Sequence, residues 1–215
     1  MSEKSEQLHQ YAQSHSQFWA ETTAEVLKGL ERATHLRTLA AQMLSGSLQG
    51  QFLSLLSELI RPQMVVEVGT FTGYSAICLA QGLGEGGMLH TIEIDEEKQL
   101  IINEFVQKAQ LQDSIKLHLG DAQEIIPTLE DGIDLSFIDA DKESYDLYYE
   151  LLLAKTKQGG FLLIDNVLWH GKVLNSQPDK KTALIQQFNH KVLNDKRVRR
   201  LLLPLRDGIL LVKKL

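Results

Sequence analysis

A chain of 215 residues, 43% hydrophobic and 23% charged, is long enough for one α/β domain with a sizeable core and has the ordinary balance of a soluble globular protein. A formal net charge of −6 with no compensating basic face argues against nucleic acid as a partner, and Lys180-Lys181 and Arg197 to Arg200 read as short solvated clusters. The single cysteine, Cys78, excludes an intramolecular disulfide. No apolar run approaches the roughly 20 residues of a membrane span, and the opening residues carry no apolar leader, so no membrane association and a cytoplasmic location are expected.

Residues 1 to about 19 are polar with scattered rings (His9, Tyr11, His15, Phe18, Trp19) and read as a loosely held arm. From 20 to 43, apolar positions at Val26, Leu27, Leu30, Leu36, Leu39 and Met43 have the spacing of one or two amphipathic helices. Ser45-Gly46-Ser47 is a turn, and 48–60 a helix stopped by Arg61-Pro62. Val65, Val66 and Val68 form a buried strand, Gly69 and Gly73 bracket a tight turn, and 74–81 is helical, with Cys78 a small buried hydrophobe. Strands are then predicted at 88–94, 114–119 and 133–138, and helices at 96–109 (capped by Asp95), 121–129 and 144–154. Gly159-Gly160 turns the chain into a fifth strand at 161–164, and 180–193 is a helix. The last strands are 198–203 and 208–213, joined through an Asp207-Gly208 hairpin signal that Pro204 makes longer than two residues. The alternation predicts an α/β, Rossmann-like architecture: a seven-stranded, mostly parallel sheet with an antiparallel C-terminal edge, helices on both faces and extra N-terminal helices.

In such sheets ligands bind beyond the carboxyl ends of the strands. The Gly69 turn differs from a dinucleotide fingerprint because Phe71 stands where a second glycine would let backbone approach a pyrophosphate. Glu67 adds a carboxylate that repels phosphate and welcomes a cation, a combination suited to the sulfonium and ammonium of S-adenosylmethionine. Glu93, 20 residues after Gly73, is placed to accept hydrogen bonds from ribose hydroxyls, with Asp95 better suited to capping the next helix. Ala122, after Gly120-Asp121, leaves room for an adenine. Each acid taken singly also fits a cap or a surface charge.

Two further strand ends carry Asp139-Ala140-Asp141-Lys142 and Asp165-Asn166. Asp139, Asp165 and Asn166 present two carboxylates and an amide, a set that suits a hard divalent cation such as Mg²⁺; Asp165-Asn166 is equally a common way to start a loop. Residues 166–179 show little regular structure, which suggests a functional loop. Trp169 there is either a wall for an aromatic substrate or a packing anchor. Tyr145, Tyr148 and Tyr149 read as helix-packing residues.

Glu67-Val68-Gly69-Thr70-Phe71-Thr72-Gly73-Tyr74-Ser75, Phe137-Ile138-Asp139-Ala140-Asp141-Lys142 and Asp165-Asn166-Val167-Leu168-Trp169-His170-Gly171 together resemble the cation-dependent class I O-methyltransferases, of the caffeoyl-CoA type and more distantly the catechol type. The resemblance runs from about Ser45 to Asp207-Gly208 and is poor over the first 40 or so residues, so 1–43 is expected to be a helical arm and 45–215 the core of a single methyltransferase domain. It implies that Glu67, Gly69, Thr70 and Ser75 hold the methionine part of S-adenosylmethionine, with Ser45 at its carboxylate. It likewise implies Glu93 at the ribose, where the plant enzymes usually carry Asp, Ala122 at the adenine and Asp141 at the amino group. Asp139, Asp165 and Asn166 become metal ligands, Lys142 the general base working beside Asp139, and Trp169 and His170 substrate contacts. A homodimer is implied by the resemblance alone.

Methyl transfer from sulfonium to oxygen needs a deprotonated oxygen held in line with the methyl group. A phenol, with a pKa of about 10, is mostly protonated at neutral pH, and a cation that binds two vicinal hydroxyls lowers that value. Lys142 takes the proton only if burial and a neighbouring cation depress its own pKa; otherwise it is a lysine paired with Asp141 or Glu143. The expected reaction is therefore O-methylation of catechol-like phenolics. The alternatives are a methyltransferase for another small molecule or a cofactor-binding module without catalysis. An amino-group methyltransferase is disfavoured because Asp165-Asn166-Val167-Leu168 lacks the Asn/Asp-Pro-Pro-aromatic pattern, and a nicotinamide dehydrogenase by the missing central glycine.

Overall fold

The computed structural model describes residues 3–16 and 19–215. Helices α1 (Glu3–Ser14), α2 (Glu21–Arg37) and α3 (Gly46–Ile60) precede the sheet. The stretch expected to be a loose arm is thus largely helical, and Gln13 Nε2 ties it to Ser47 Oγ at the start of α3. Phe18 and the side chain of His9 lie outside the described residues. Helix α2 buries Leu27, Leu30 and Ala33, whereas Leu36, Leu39 and Met43 are exposed. Thr38 is extended and ends the helix, so Leu39 and Met43 no longer share its inner face. Helix α3 starts two residues earlier than expected and stops where Arg61 turns left-handed (φ 53°) ahead of Pro62, which cannot continue it.

The remaining elements alternate: β1 (Met64–Val68), α4 (Tyr74–Ala80), β2 (Met88–Glu93), α5 (Gln99–Lys108), β3 (Ile115–Leu119), α6 (Ala122–Ile125), β4 (Ile133–Ile138), α7 (Tyr145–Lys155), β5 (Thr156–Ile164), α8 (Lys180–Asn194), β6 (Val198–Leu203) and β7 (Ile209–Lys214). They build a seven-stranded sheet in the order β3-β2-β1-β4-β5-β7-β6. The first five strands in that order are parallel, and β7 runs antiparallel to both β5 and β6. The chain reverses direction across the sheet between β1 and β4, and a ligand site forms at such a switch point.

The two-residue period of the strands divides the apolar residues between two cores. Val65, Leu89, Leu135 and Leu163 pack with α2, α3, α4 and α5 on one face. Val66, Val68, Ile138, Leu162 and Ile164 pack with α7 and α8 on the other. Among the described residues no helix is long and apolar enough to cross a membrane.

Three further stretches depart from the sequence reading. Gly159-Gly160 does not turn the chain into β5 but lies within it: Gly159 takes φ 81° and the register to β4 shifts between Ile133 and Leu135, a bulge rather than a turn. Helix α6 is a single turn followed by a 3₁₀ segment at Ile126–Thr128, because Pro127 supplies no N–H to extend it. The loop after β5 contains a 3₁₀ stretch, Trp169–Leu174, interrupted at His170 (φ 54°) and Gly171 (φ 77°).

Candidate active site

The turn after β1 is shaped by its contact with the end of β4. Gly69 (φ 94°) has no room for a side chain, since a Cβ there would lie 2.0 Å from the carbonyl oxygen of Asp139. Its N–H donates to Ile92 O, so the turn is stitched to β2 on one side and pressed on Asp139 on the other. Phe71 adopts φ 52°, and its N–H donates to Glu93 Oε2 at 2.7 Å. The backbone donor that a phosphate would need is therefore already used by a carboxylate. Glu93 accepts a second bond from Asp95 N at 2.9 Å, while Asp95 caps the following 3₁₀ turn through Glu97 N.

Glu67 is fully buried beside this turn. Thr91, its register partner on β2, donates to Oε2, and Oε1 has no hydrogen-bond partner. Burial pushes the carboxyl up from 4.5 to about 7; the Ser75 and Thr91 hydroxyls oppose the rise, and the charges of Asp139 and Glu93 add to it. Thr70 and Ser75 are buried next to it, and Ala122 is buried at the start of α6, which Asp121 caps through Gln123 N. Ser45 is buried just ahead of α3.

The ends of β4 and β5 form the second half of the site. Asp139, Lys142, Asp165 and Asn166 converge: Lys142 Nζ lies 3.2 Å from Asp139 Oδ1 and 2.8 Å from Asn166 Oδ1, and it also donates to the Tyr145 hydroxyl. Asp165 is buried and accepts from Gln49 Nε2 at 2.6 Å and from Asn166 N at 2.7 Å. Burial first, and then the charge of Asp139, raise its carboxyl from 3.8 to about 6. Asn166 holds its left-handed turn at φ 58°. Among the described residues no cluster of three or more His, Cys, Asp and Glu side chains is poised for a metal, because this oxygen set has two carboxylates and an amide. All three donors are oxygens, and two of them already hold an ammonium; the set fits a hard cation.

A model of the O-methyltransferase family matches residues 14–215. The chain belongs to the O-methyltransferase family. Catechol O-methyltransferase domain-containing protein 1 of Mus musculus is 39% identical over 173 residues, covering 78% of this chain and 66% of that protein. A caffeoyl-CoA O-methyltransferase of Populus kitakamiensis is 33% identical over 225 residues, covering 99% of this chain and 95% of the relative. Among solved structures, an O-methyltransferase from Bacillus cereus in complex with SAH superposes with a TM-score of 0.83 at 28% identity, covering 96% of each chain. Fold and family together place the chain among the class I S-adenosylmethionine-dependent O-methyltransferases.

Within this O-methyltransferase the expected site residues are not all brought together. Asp141 lies in the turn ahead of α7, with Oδ2 accepting from Ser144 N and Oδ1 from the Tyr148 hydroxyl at 2.9 Å. Trp169 packs on the core beneath β5 and stacks on His170, and no hydrogen bond joins either ring to the oxygen cluster. The His170 side chain is 76% exposed and faces Asp207 at 3.6 Å. The tyrosines do more than pack: Tyr145 donates to Asp165 O and Tyr148 to Asp141, while Tyr149 bonds to Asp195.

Gln49 and Arg206 were not anticipated. Gln49 was legible as a buried amide one turn after Ser45 on an apolar helix. Arg206 carried no signal, since only the hairpin brings it to α3.

Proposed function

We propose that this O-methyltransferase methylates a hydroxyl of catechol-like, vicinal dihydroxy phenolic substrates, with S-adenosylmethionine as donor and a divalent cation, Mg²⁺ by its preference for oxygen, held by Asp139, Asp165 and Asn166. The observation that carries this reading is the seat of Lys142 Nζ between Asp139 Oδ1 and Asn166 Oδ1, directly beside the turn where Gly69 meets Asp139. An oxygen set that holds an ammonium beside that turn supports a cation there, next to the turn proposed to take a cationic methyl donor.

Held by Asp139, Asp165 and Asn166, a divalent cation would supply Lewis acidity toward a phenol hydroxyl. The chain's own residues supply the rest. Glu67, Thr70, Ser75 and Ser45 line the end that takes the methionine moiety, and Glu67 in its ionised form complements the positive charge of the donor. Glu93 has both oxygens oriented by backbone N–H groups and keeps lone pairs for the ribose hydroxyls. Ala122 offers a small surface to the adenine, and Asp141, fixed by Tyr148 and Ser144, faces the amino group. Lys142 Nζ, seated between Asp139 Oδ1 and Asn166 Oδ1, serves as the general base that takes the phenol proton.

Methyl transfer from labelled S-adenosylmethionine to a panel of catechols, with Mg²⁺, with EDTA and in the Asp165→Ala variant, tests this. Turnover that needs the metal and collapses in the variant is expected. Turnover indifferent to EDTA refutes the role given to the cation, and cofactor binding without catechol turnover refutes the substrate class.

A further inference from the structure

We propose that Gln49 and Arg206 are positioning residues for the cation site: Arg206 fixes the orientation of the Gln49 amide, and that amide fixes the Asp165 carboxylate. The inference rests on reading Asp165 as a cation ligand.

The geometry leaves the amide no choice. A guanidinium only donates, so Arg206 Nη1, 3.0 Å from Gln49 Oε1, makes that atom the acceptor. Nε2 then faces Asp165 Oδ2 as a donor at 2.6 Å. Flipped, the amide would set its oxygen against a carboxylate and its N–H groups against a cation. Gln49 is fully buried, so water cannot substitute for either partner. Asn166 N holds the other Asp165 oxygen, and each oxygen keeps a lone pair for a metal. Hydrogen bonds of this kind, one shell behind the ligands, orient a carboxylate and tune its affinity.

Arg206 has a second set of contacts on the backbone ahead of α3. It donates to the carbonyls of Ser45 and, at 3.1 Å, of Leu44. One side chain from the β6–β7 connection thus clasps the segment before α3, where Ser45 faces the cofactor end, and the amide behind Asp165. Neither Gln49 nor Arg206 bonds to Asp139, Lys142 or Asn166, so both act through Asp165.

The test is direct binding of Mn²⁺, read from the loss of the free aqua-ion signal in electron paramagnetic resonance, with SAH present. Gln49→Met is expected to weaken Mn²⁺ binding roughly ten- to a hundredfold with an unchanged circular dichroism spectrum. Arg206→Met should weaken it in the same direction, and Arg206→Lys, which keeps a donor for Oε1, should recover most of the loss. The double variant should be no weaker than the weaker single one, because both side chains act through one amide. A folded Gln49→Met protein that binds Mn²⁺ within twofold of wild type overturns the inference. If that variant does not fold, Arg206→Met, at an exposed position, decides in the same way. Failure of the underlying reading is distinguishable: the wild type would bind no Mn²⁺, or Asp165→Ala would bind it as tightly, and the inference would fall with it.

Discussion

Replacing Glu67 by glutamine should make the cofactor-free protein more stable at pH 8, although it removes a residue placed at the heart of the site. The carboxylate is buried, with the Thr91 hydroxyl donating to one oxygen, the Ser75 hydroxyl close enough to oppose a rise in its pKa, and Oε1 without a hydrogen-bond partner. Its pKa rises from 4.5 to about 7, chiefly through burial. Between those values the native protein holds a proton that the unfolded chain has released, so stability falls as pH rises through that window and levels off above it. A shift of that size corresponds to roughly 3 kcal/mol. Glutamine has nothing to ionise, so the stability difference between variant and wild type should grow by up to that amount from pH 4.5 to pH 8. Asp165, raised from 3.8 to about 6, acts with the same sign in its own window but is present in both proteins and cancels in the difference. Urea unfolding of both cofactor-free proteins across this range is the assay. A difference that stays flat with pH refutes the claim that Glu67 is buried at an energetic cost to the free protein. On the proposed reading of the site, a cationic ligand beside Glu67 would relieve that cost.

Other substitutions probe the remaining parts of the site. Lys142→Met should lower kcat by about 10²- to 10⁴-fold with a much smaller change in KM; it should also tighten Mg²⁺ binding measured by calorimetry, because no ammonium competes for Asp139 and Asn166. Gly69→Ala should destabilise the protein by roughly 2–5 kcal/mol in chemical denaturation, since its Cβ would lie 2.0 Å from Asp139 O on a backbone at φ 94°; a loss below about 1 kcal/mol would mean that the β1 turn and the β4 end can part freely. Tyr148→Phe removes the hydroxyl that holds Asp141, and SAH binding should weaken several-fold, in line with about 1 kcal/mol for one hydrogen bond; an unchanged affinity separates Asp141 from the cofactor.

What could be read in the chain before its structure was the part built from short-range pattern. The β-branched run before Gly69, the alternation of strands and helices and the acids at successive strand ends are local features, and local sterics and burial dictate them. They sufficed for the sheet, its antiparallel edge and the convergence of Asp139, Asp165 and Asn166, because parallel strands with helical crossovers must bring their carboxyl ends to one edge. The misread pieces are also local, but turn on competition. Gly159-Gly160 reads as a turn, yet the pairing with β4 absorbs both residues in a bulge, and Leu39 and Met43 continue an apolar spacing past Arg37, where their helix stops.

Only the tertiary structure decided who supports those acids. Gln49 reaches Asp165 across 116 residues, and Arg206 reaches Gln49 across 157. Thr91 meets Glu67 because the β1–β2 register sets them side by side. No spacing rule relates such pairs; each depends on the packing of whole elements. His170, next to the acids in sequence, is turned toward Asp207 by a left-handed backbone. The chain itself determined which acids, amides and amines stand at the strand ends, since charge and donor type belong to the side chain. The fold determined how each is held, since orientation and desolvation belong to its neighbours.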